Sequence, residues 1–106
     1  MESLKEIFIY VDDERWPQTI PDRMAYCVCR TYREAIDKLK FYMSHGTKII
    51  LDLDHDIQCK QTGYDIAKWV VDSGYNNLCF TCHSMNPVGR KNIIELLVHY
   101  GYEQIW

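Results

Sequence analysis

The residues able to do chemistry gather in three short polar clusters. They are Asp12-Asp13, Asp52-Leu53-Asp54-His55-Asp56 and His83-Ser84-Met85-Asn86. Five aspartates in two tight groups repel one another unless a cation or a proton lies between them. Carboxylate oxygens suit hard divalent ions such as Mg²⁺, Mn²⁺ or Ca²⁺. Asp12, Asp13 and Asp54 are the candidate ligands, and Asp52 and Asp56 are supporting acids. His83 and His55 carry the side chain that most readily gives or takes a proton near neutral pH. Ser84, Asn86 and Arg90 surround the start of a helix, where free backbone N–H groups and the helix dipole attract a phosphate. The plain alternative is that the aspartates cap turns and that Asn86 only caps its helix. One acidic cluster alone would favour that alternative; two, joined by a histidine cluster, favour a site.

Each cluster directly follows or overlaps the end of an apolar run. Ile7–Val11 precedes the first, the run Ile49–Leu53 runs into the second, and Leu78–Cys82 precedes the third; Ala25–Cys29 is a further run. Near-continuous apolar runs of this length predict strands covered on both faces. Helical patterns lie between them. Thr31-x-x-Glu34 is a capping box ahead of Ala35, Ile36, Leu39, Tyr42 and Met43, and Gly46 stops that helix. Thr62-Gly63-Tyr64-Asp65 opens a second helix carrying Ile66, Ala67, Val70 and Val71, closed near Gly74. Asn86-Pro87 opens a third, with Asn as cap and Pro at the first helical position. Glu103–Trp106 reads as a very short fifth strand. Pro17 and Pro21 interrupt residues 14–23, so the first crossover should be an irregular loop with at most one helical turn, pinned to the core by Trp16 and Ile20.

Alternating strands and helices imply an α/β fold: a parallel sheet with right-handed crossovers. The expectation is a single flavodoxin-like, receiver-like three-layer domain over residues 1–106. Its strand order would be 2-1-3-4 with a possible fifth strand, and its first crossover is degenerate. In such a sheet all strand C-termini share one edge, so clusters distant in sequence converge there. If the third strand runs that far, alternation sends Asp52 and Asp54 to one side and His55 to the other.

Composition sets the outer bounds. The chain has 106 residues, 47% hydrophobic and 25% charged, with net charge -3. That is ordinary for one globular domain and offers no general nucleic-acid surface. No apolar stretch is long enough to span a bilayer and no targeting segment is visible, so a cytoplasmic location and no membrane partner are expected. Cys27, Cys29, Cys79 and Cys82 sit within apolar runs and read as reduced core thiols, with a zinc site or redox pair as the alternative. Trp16 or Tyr64 is the candidate for stacking on a nucleotide base. His45 and His99 lie near helix ends, and Lys38, Lys40, Lys60 and Lys68 read as a solvated face.

The strings Leu51-Asp52-Leu53-Asp54-His55-Asp56, Thr62-Gly63-Tyr64-Asp65 with Trp69, and His83-Ser84-Met85-Asn86-Pro87-Val88-Gly89-Arg90 resemble the cyclic-phosphate processing receiver-like family, derived from the response-regulator receiver. Asp12-Asp13 agrees with this, though it is the least specific string. The resemblance spans nearly the whole chain. It implies a metal-dependent phosphoesterase acting on a cyclic phosphate of a nucleotide, an ADP-ribose or an RNA end. The non-catalytic alternative is a degenerate receiver that binds a cyclic nucleotide or a protein partner. The lysine that a signalling receiver carries after its fifth strand is missing from Tyr102-Glu103-Gln104-Ile105-Trp106, as is the final helix. That departure argues against phospho-acceptance at Asp54.

Overall fold

The apolar runs become strands and pair side by side. The computed structural model describes residues 5–106. Its elements are β1 (Glu6–Val11), β2 (Tyr26–Cys29), α1 (Tyr32–Ser44), β3 (Lys48–Leu53), α2 (Gly63–Ser73), β4 (Leu78–Cys82), α3 (Pro87–His99) and β5 (Glu103–Gln104). All strand pairs are parallel, in the order β2-β1-β3-β4-β5. The order is the expected one, and the fifth strand forms at two residues.

Helix ends lie where the capping residues place them. Thr31 Oγ1 accepts the Glu34 N–H at 3.1 Å, while the Glu34 carboxylate turns back to the Arg30 N–H at 2.6 Å. At α2 the Asp65 carboxylate accepts the Thr62 N–H at 2.8 Å. At α3 Asn86 Oδ1 accepts the Gly89 N–H at 3.0 Å. Gly74 follows α2 at φ +70°, a left-handed turn that glycine adopts without a side-chain clash.

The two faces of the sheet are dressed differently. Ile7, Ile9 and Val11 of β1, Ile49, Leu51 and Leu53 of β3, and Phe80 and Cys82 of β4 pack against buried residues of all three helices. Among these are Ile36 and Leu39 of α1, Ile66 and Val70 of α2, and Ile93 and Leu97 of α3. Burying each large side chain contributes about 1.5–3 kcal/mol, so this face supplies most of the stability. The opposite face carries Phe8, Tyr10, Ile50 and Cys79, against which Ile20, Met24, Val28 and Ile105 pack. Among the described residues no helix contributes to that second cluster. Its covering layer is the loop between β1 and β2 together with residues after β5, in keeping with a proline-broken first crossover.

That loop contains no helical turn. Ile20 packs on the sheet as expected, but Trp16 is 66% exposed and stands away from the core. Its indole instead lies 4.7 Å from the Arg30 guanidinium, a cation–π contact that holds it above the sheet edge. All five cysteines are free thiols; Cys29, Cys79 and Cys82 are buried, Cys27 is half-buried and Cys59 is exposed. Among the described residues no helix is long and apolar enough to cross a membrane.

Candidate functional site

The parallel register brings the polar clusters together. Cys29, Val11, Leu53 and Cys82 form one row across β2, β1, β3 and β4. One residue further on, the next row is Arg30, Asp12, Asp54 and His83. Its backbone is held by Asp12 N–H to Cys29 C=O, Asp54 N–H to Val11 C=O and His83 N–H to Leu53 C=O, at 3.1, 3.0 and 3.0 Å. Tyr10, Asp52 and Thr81 form the row two residues below. Alternation places both rows on the face that lacks helices.

His83 is the hub. Its Nδ1 bonds Asp52 Oδ1 at 2.5 Å and its Nε2 bonds Asp12 Oδ2 at 2.9 Å. Its ring stacks on Tyr10, with centroids 4.5 Å apart and planes within 8°. Burial by itself would push the His83 pKa down, but the hydrogen bonds of Asp52 and Asp12 and the charges of Asp52 and Asp54 outweigh it and raise the value above 6.5. The imidazole is therefore held toward its charged form. Burial, then the neighbouring Asp12 and Asp52, pushes the Tyr10 phenol up to about 12, so that ring stays neutral.

Asp12 is almost fully buried and doubly oriented. Its Oδ1 accepts the N–H groups of Glu14 and Arg15 at 2.9 and 2.8 Å. Burial favours protonation of this carboxyl, but those two N–H groups and His83 overcome it and hold the pKa below the usual range. Arg15 Nε lies 3.4 Å from Asp12 Oδ2. Arg30 Nη1 donates to the carbonyls of Asp12 and Arg15 at 3.0 and 2.6 Å, tying the loop to the sheet edge.

Asp12, Asp54 and His83 offer ligand atoms that all lie within 4.8 Å of one another, a group that could hold a metal ion. Asp13 does not belong to that closed group. It lies beside it, however, and its buried Oδ2 has no hydrogen-bond partner. Desolvation, followed by the charges of Glu14, Asp12 and Asp54, raises its pKa. An orphaned carboxylate oxygen beside two further acids is what a hard divalent cation would satisfy, so these residues suit such an ion.

The remaining candidates take other positions. Asp52 bonds His83 from the row below. His55 lies beyond the end of β3 and is turned away: its Nδ1 bonds Asp56 Oδ1 at 2.9 Å and its ring fills the space above Gly89, where an added Cβ would come within 2.4 Å. Asp56 in turn accepts from Asn86 Nδ2 at 3.3 Å. His55 and Asp56 thus fasten the β3–α2 loop to the start of α3, a structural role in place of the expected proton transfer at the site. The His55 hydrogen bond, together with that from Asn86, lowers the Asp56 pKa despite some desolvation.

Ser84 is buried and its Oγ accepts the Asn86 N–H at 3.1 Å. Arg90 Nε donates to the Cys82 carbonyl at 3.3 Å. Both brace the strand-to-helix corner. Tyr64 lies in a different groove, with Asn92, Glu95, Leu96 and His99.

Beside His83 opens a cleft of about 690 Å³ on the helix-free face, lined by Tyr10, Asp52 and His83 below and by Arg15, Trp16 and Trp106 among others above. Sequence reasoning missed Tyr10, Arg15, Arg30 and Trp106. Only Tyr10 had a usable signal, since it shares strand parity with Asp12, the residue that follows Val11.

The pH dependence of the metal-free protein follows from these shifts. A histidine whose folded pKa is raised stabilises fully below its unfolded value of 6.5, and the contribution is lost as pH climbs through the folded pKa. The raised Asp13 carboxyl acts in the same direction. The lowered Asp12 contributes above 3.8 and is lost as pH falls through its folded pKa. With chelator present, thermal melts should therefore show higher stability at pH 5.5 than at pH 8.5, and His83→Asn should flatten most of that difference. An unchanged difference in the variant would disprove the assignment.

A family model described as the cyclic-phosphate processing receiver domain matches residues 7–99. No curated protein and no solved structure gives a significant match to the chain.

Proposed function

The chain belongs to the family of cyclic-phosphate processing receiver domains, and from that premise we propose that it is a metal-dependent hydrolase that opens the cyclic phosphate of a nucleotide, an ADP-ribose or an RNA end. The observation that carries the reading is His83, clamped between two carboxylates at the mouth of the cleft. Both ring nitrogens face carboxylates, which favours the imidazolium form that a proton donor requires.

Asp12 and Asp54, with Asp13 beside them, would hold Mg²⁺ or Mn²⁺, since such ions prefer oxygen. A bound cation of this kind supplies positive charge to the phosphoryl oxygens and makes a bound water more acidic. His83 is left for proton transfer. Asp52 holds Nδ1 and thereby sets the ring orientation, while Nε2 faces Asp12. Water oxygen attacks phosphorus, one ring P–O bond breaks, and the His83 proton passes to the departing sugar oxygen. The product is a phosphomonoester with a free hydroxyl, and the proton lost by the water recharges the imidazole through solvent. Arg15, half-exposed beside Asp12, offsets the repulsion between the acids and an incoming phosphate.

The deciding experiment incubates the folded protein with 2′,3′-cyclic nucleotides and with ADP-ribose cyclic phosphate, in Mg²⁺ or Mn²⁺, and follows phosphomonoester by ³¹P NMR. Turnover that stops on chelation is expected. Full recovery of every substrate with either metal would sink the catalytic reading and leave a binding module.

A further inference from the structure

The cleft extends well past the residues that the chemistry uses. Its upper wall contains two indoles, Trp16 and Trp106, which are 66% and 70% exposed. Large aromatic rings left in water at the rim of a polar site cost free energy unless something covers them in use. Each is held from one side only. Trp16 rests on Arg30, which also donates to the carbonyls of Asp12 and Arg15, so the indole lies beside the site. Trp106 sits 6.0 Å from Phe8, a fully buried residue of the sheet face. At about 690 Å³ the cleft is in the range of small-molecule sites and larger than a cyclic phosphate with its sugar requires.

We propose that Trp16 and Trp106 form a base-binding subsite, with Arg15 as the anion contact between it and His83. The substrate is then a nucleoside cyclic phosphate, or an RNA end bearing one, whose aromatic base covers the indoles while its phosphate lies at His83. The phosphate approaches over the loop after β1. The start of α3, where Ser84, Asn86 and Arg90 were expected to cradle it, keeps those groups engaged in its own corner. This inference rests on the cyclic-phosphate reading for the identity of the phosphate, but not for the presence of the base subsite.

Two substrates separate the claims: cytidine 2′,3′-cyclic phosphate and the base-free glycerol 1,2-cyclic phosphate. Stacking of one base on an aromatic ring is worth about tenfold in affinity. Trp16→Ala and Trp106→Ala should each raise KM for the cytidine compound about tenfold, leave kcat within about twofold, and leave the base-free compound unaffected. Tryptophan fluorescence should be quenched by the cytidine compound in the parent chain, less so in either variant, and not at all by the base-free compound. Equal losses for both compounds, or unchanged KM for both, would overturn the base subsite while the hydrolase reading stood. Quenching by the cytidine compound without turnover of either would overturn the hydrolase reading and uphold the subsite. Neither quenching nor turnover would remove both.

Discussion

Replacing His83 with Gln should cut turnover of a cyclic phosphate by about 10²–10⁴-fold, the usual contribution of a positioned proton donor. Glutamine retains a donor toward Asp52 or Asp12 but cannot release a proton near neutral pH. The protein should remain folded, which far-ultraviolet circular dichroism checks. Alanine is the poorer choice, because it leaves Asp12 and Asp52 buried without the cation that they share. The companion change is Asp52→Asn, which tests a positioning role. Asp52 acts only through Nδ1 of His83, so the variant should retain more activity than His83→Gln. The carboxylate that raises the imidazole pKa would be gone, and the basic limb of the pH–rate profile should move to lower pH. A profile that falls in height without moving would mean that Asp52 merely packs. Unchanged turnover in His83→Gln would remove His83 from the chemistry altogether.

Gly63→Ala should be the most destabilising single-methyl change at the site. Its Cβ would come within 2.0 Å of the Asp54 carbonyl oxygen, 2.9 Å of the Asp54 carbonyl carbon and 3.1 Å of His55 Cα. All three are backbone atoms, so no rotamer change relieves the overlap. The Gly63 N–H also donates to the His55 carbonyl at 2.9 Å, which closes the turn tightly. Overpacking of this kind costs about 3 kcal/mol, or a fall in Tm of about 15 °C for a domain of this size. Because the displaced carbonyl belongs to Asp54, Mg²⁺ or Mn²⁺ titration should also show weakened binding. Gly89→Ala provides the contrast. There the added Cβ meets only the His55 ring, at 2.4 Å, and a side chain can swing aside. That variant should lose the His55–Asp56 contact and less stability. Equal melting temperatures for Gly63→Ala and the parent would refute the close approach.

Much of this arrangement was legible residue by residue. The strands follow from apolar runs, and the helix starts from Thr31, Thr62 and Asn86-Pro87, because caps satisfy local backbone groups and need no tertiary information. The sheet order followed from alternation of elements and from crossover handedness. Parity was expected to separate His55 from Asp52 and Asp54 if the strand ran that far; β3 stops at Leu53, and His55 is turned aside by the loop after it. The family resemblance rested on the same strings that the sheet edge assembles.

Other features depended on contacts between distant segments. Asp12, Asp54 and His83 form one rung because Val11, Leu53 and Cys82 share a register, and register is a property of paired strands. His55 had the same residue type as His83 and a place in the most acidic string, yet its ring packs against Gly89 of α3, a contact no local pattern shows. Trp16 read as a core anchor because it is large and apolar. The proline-broken loop instead sets it above the sheet, where Arg30, fourteen positions away, holds it. The sequence by itself determined which residues could do chemistry and at which edge they meet, since both follow from local pattern and parallel topology. Only the tertiary structure decided that the cleft opens on the face without helices. That choice follows from which crossovers fail to form a helix and what covers the apolar surface they leave, a non-local balance of packing that no short window of residues encodes.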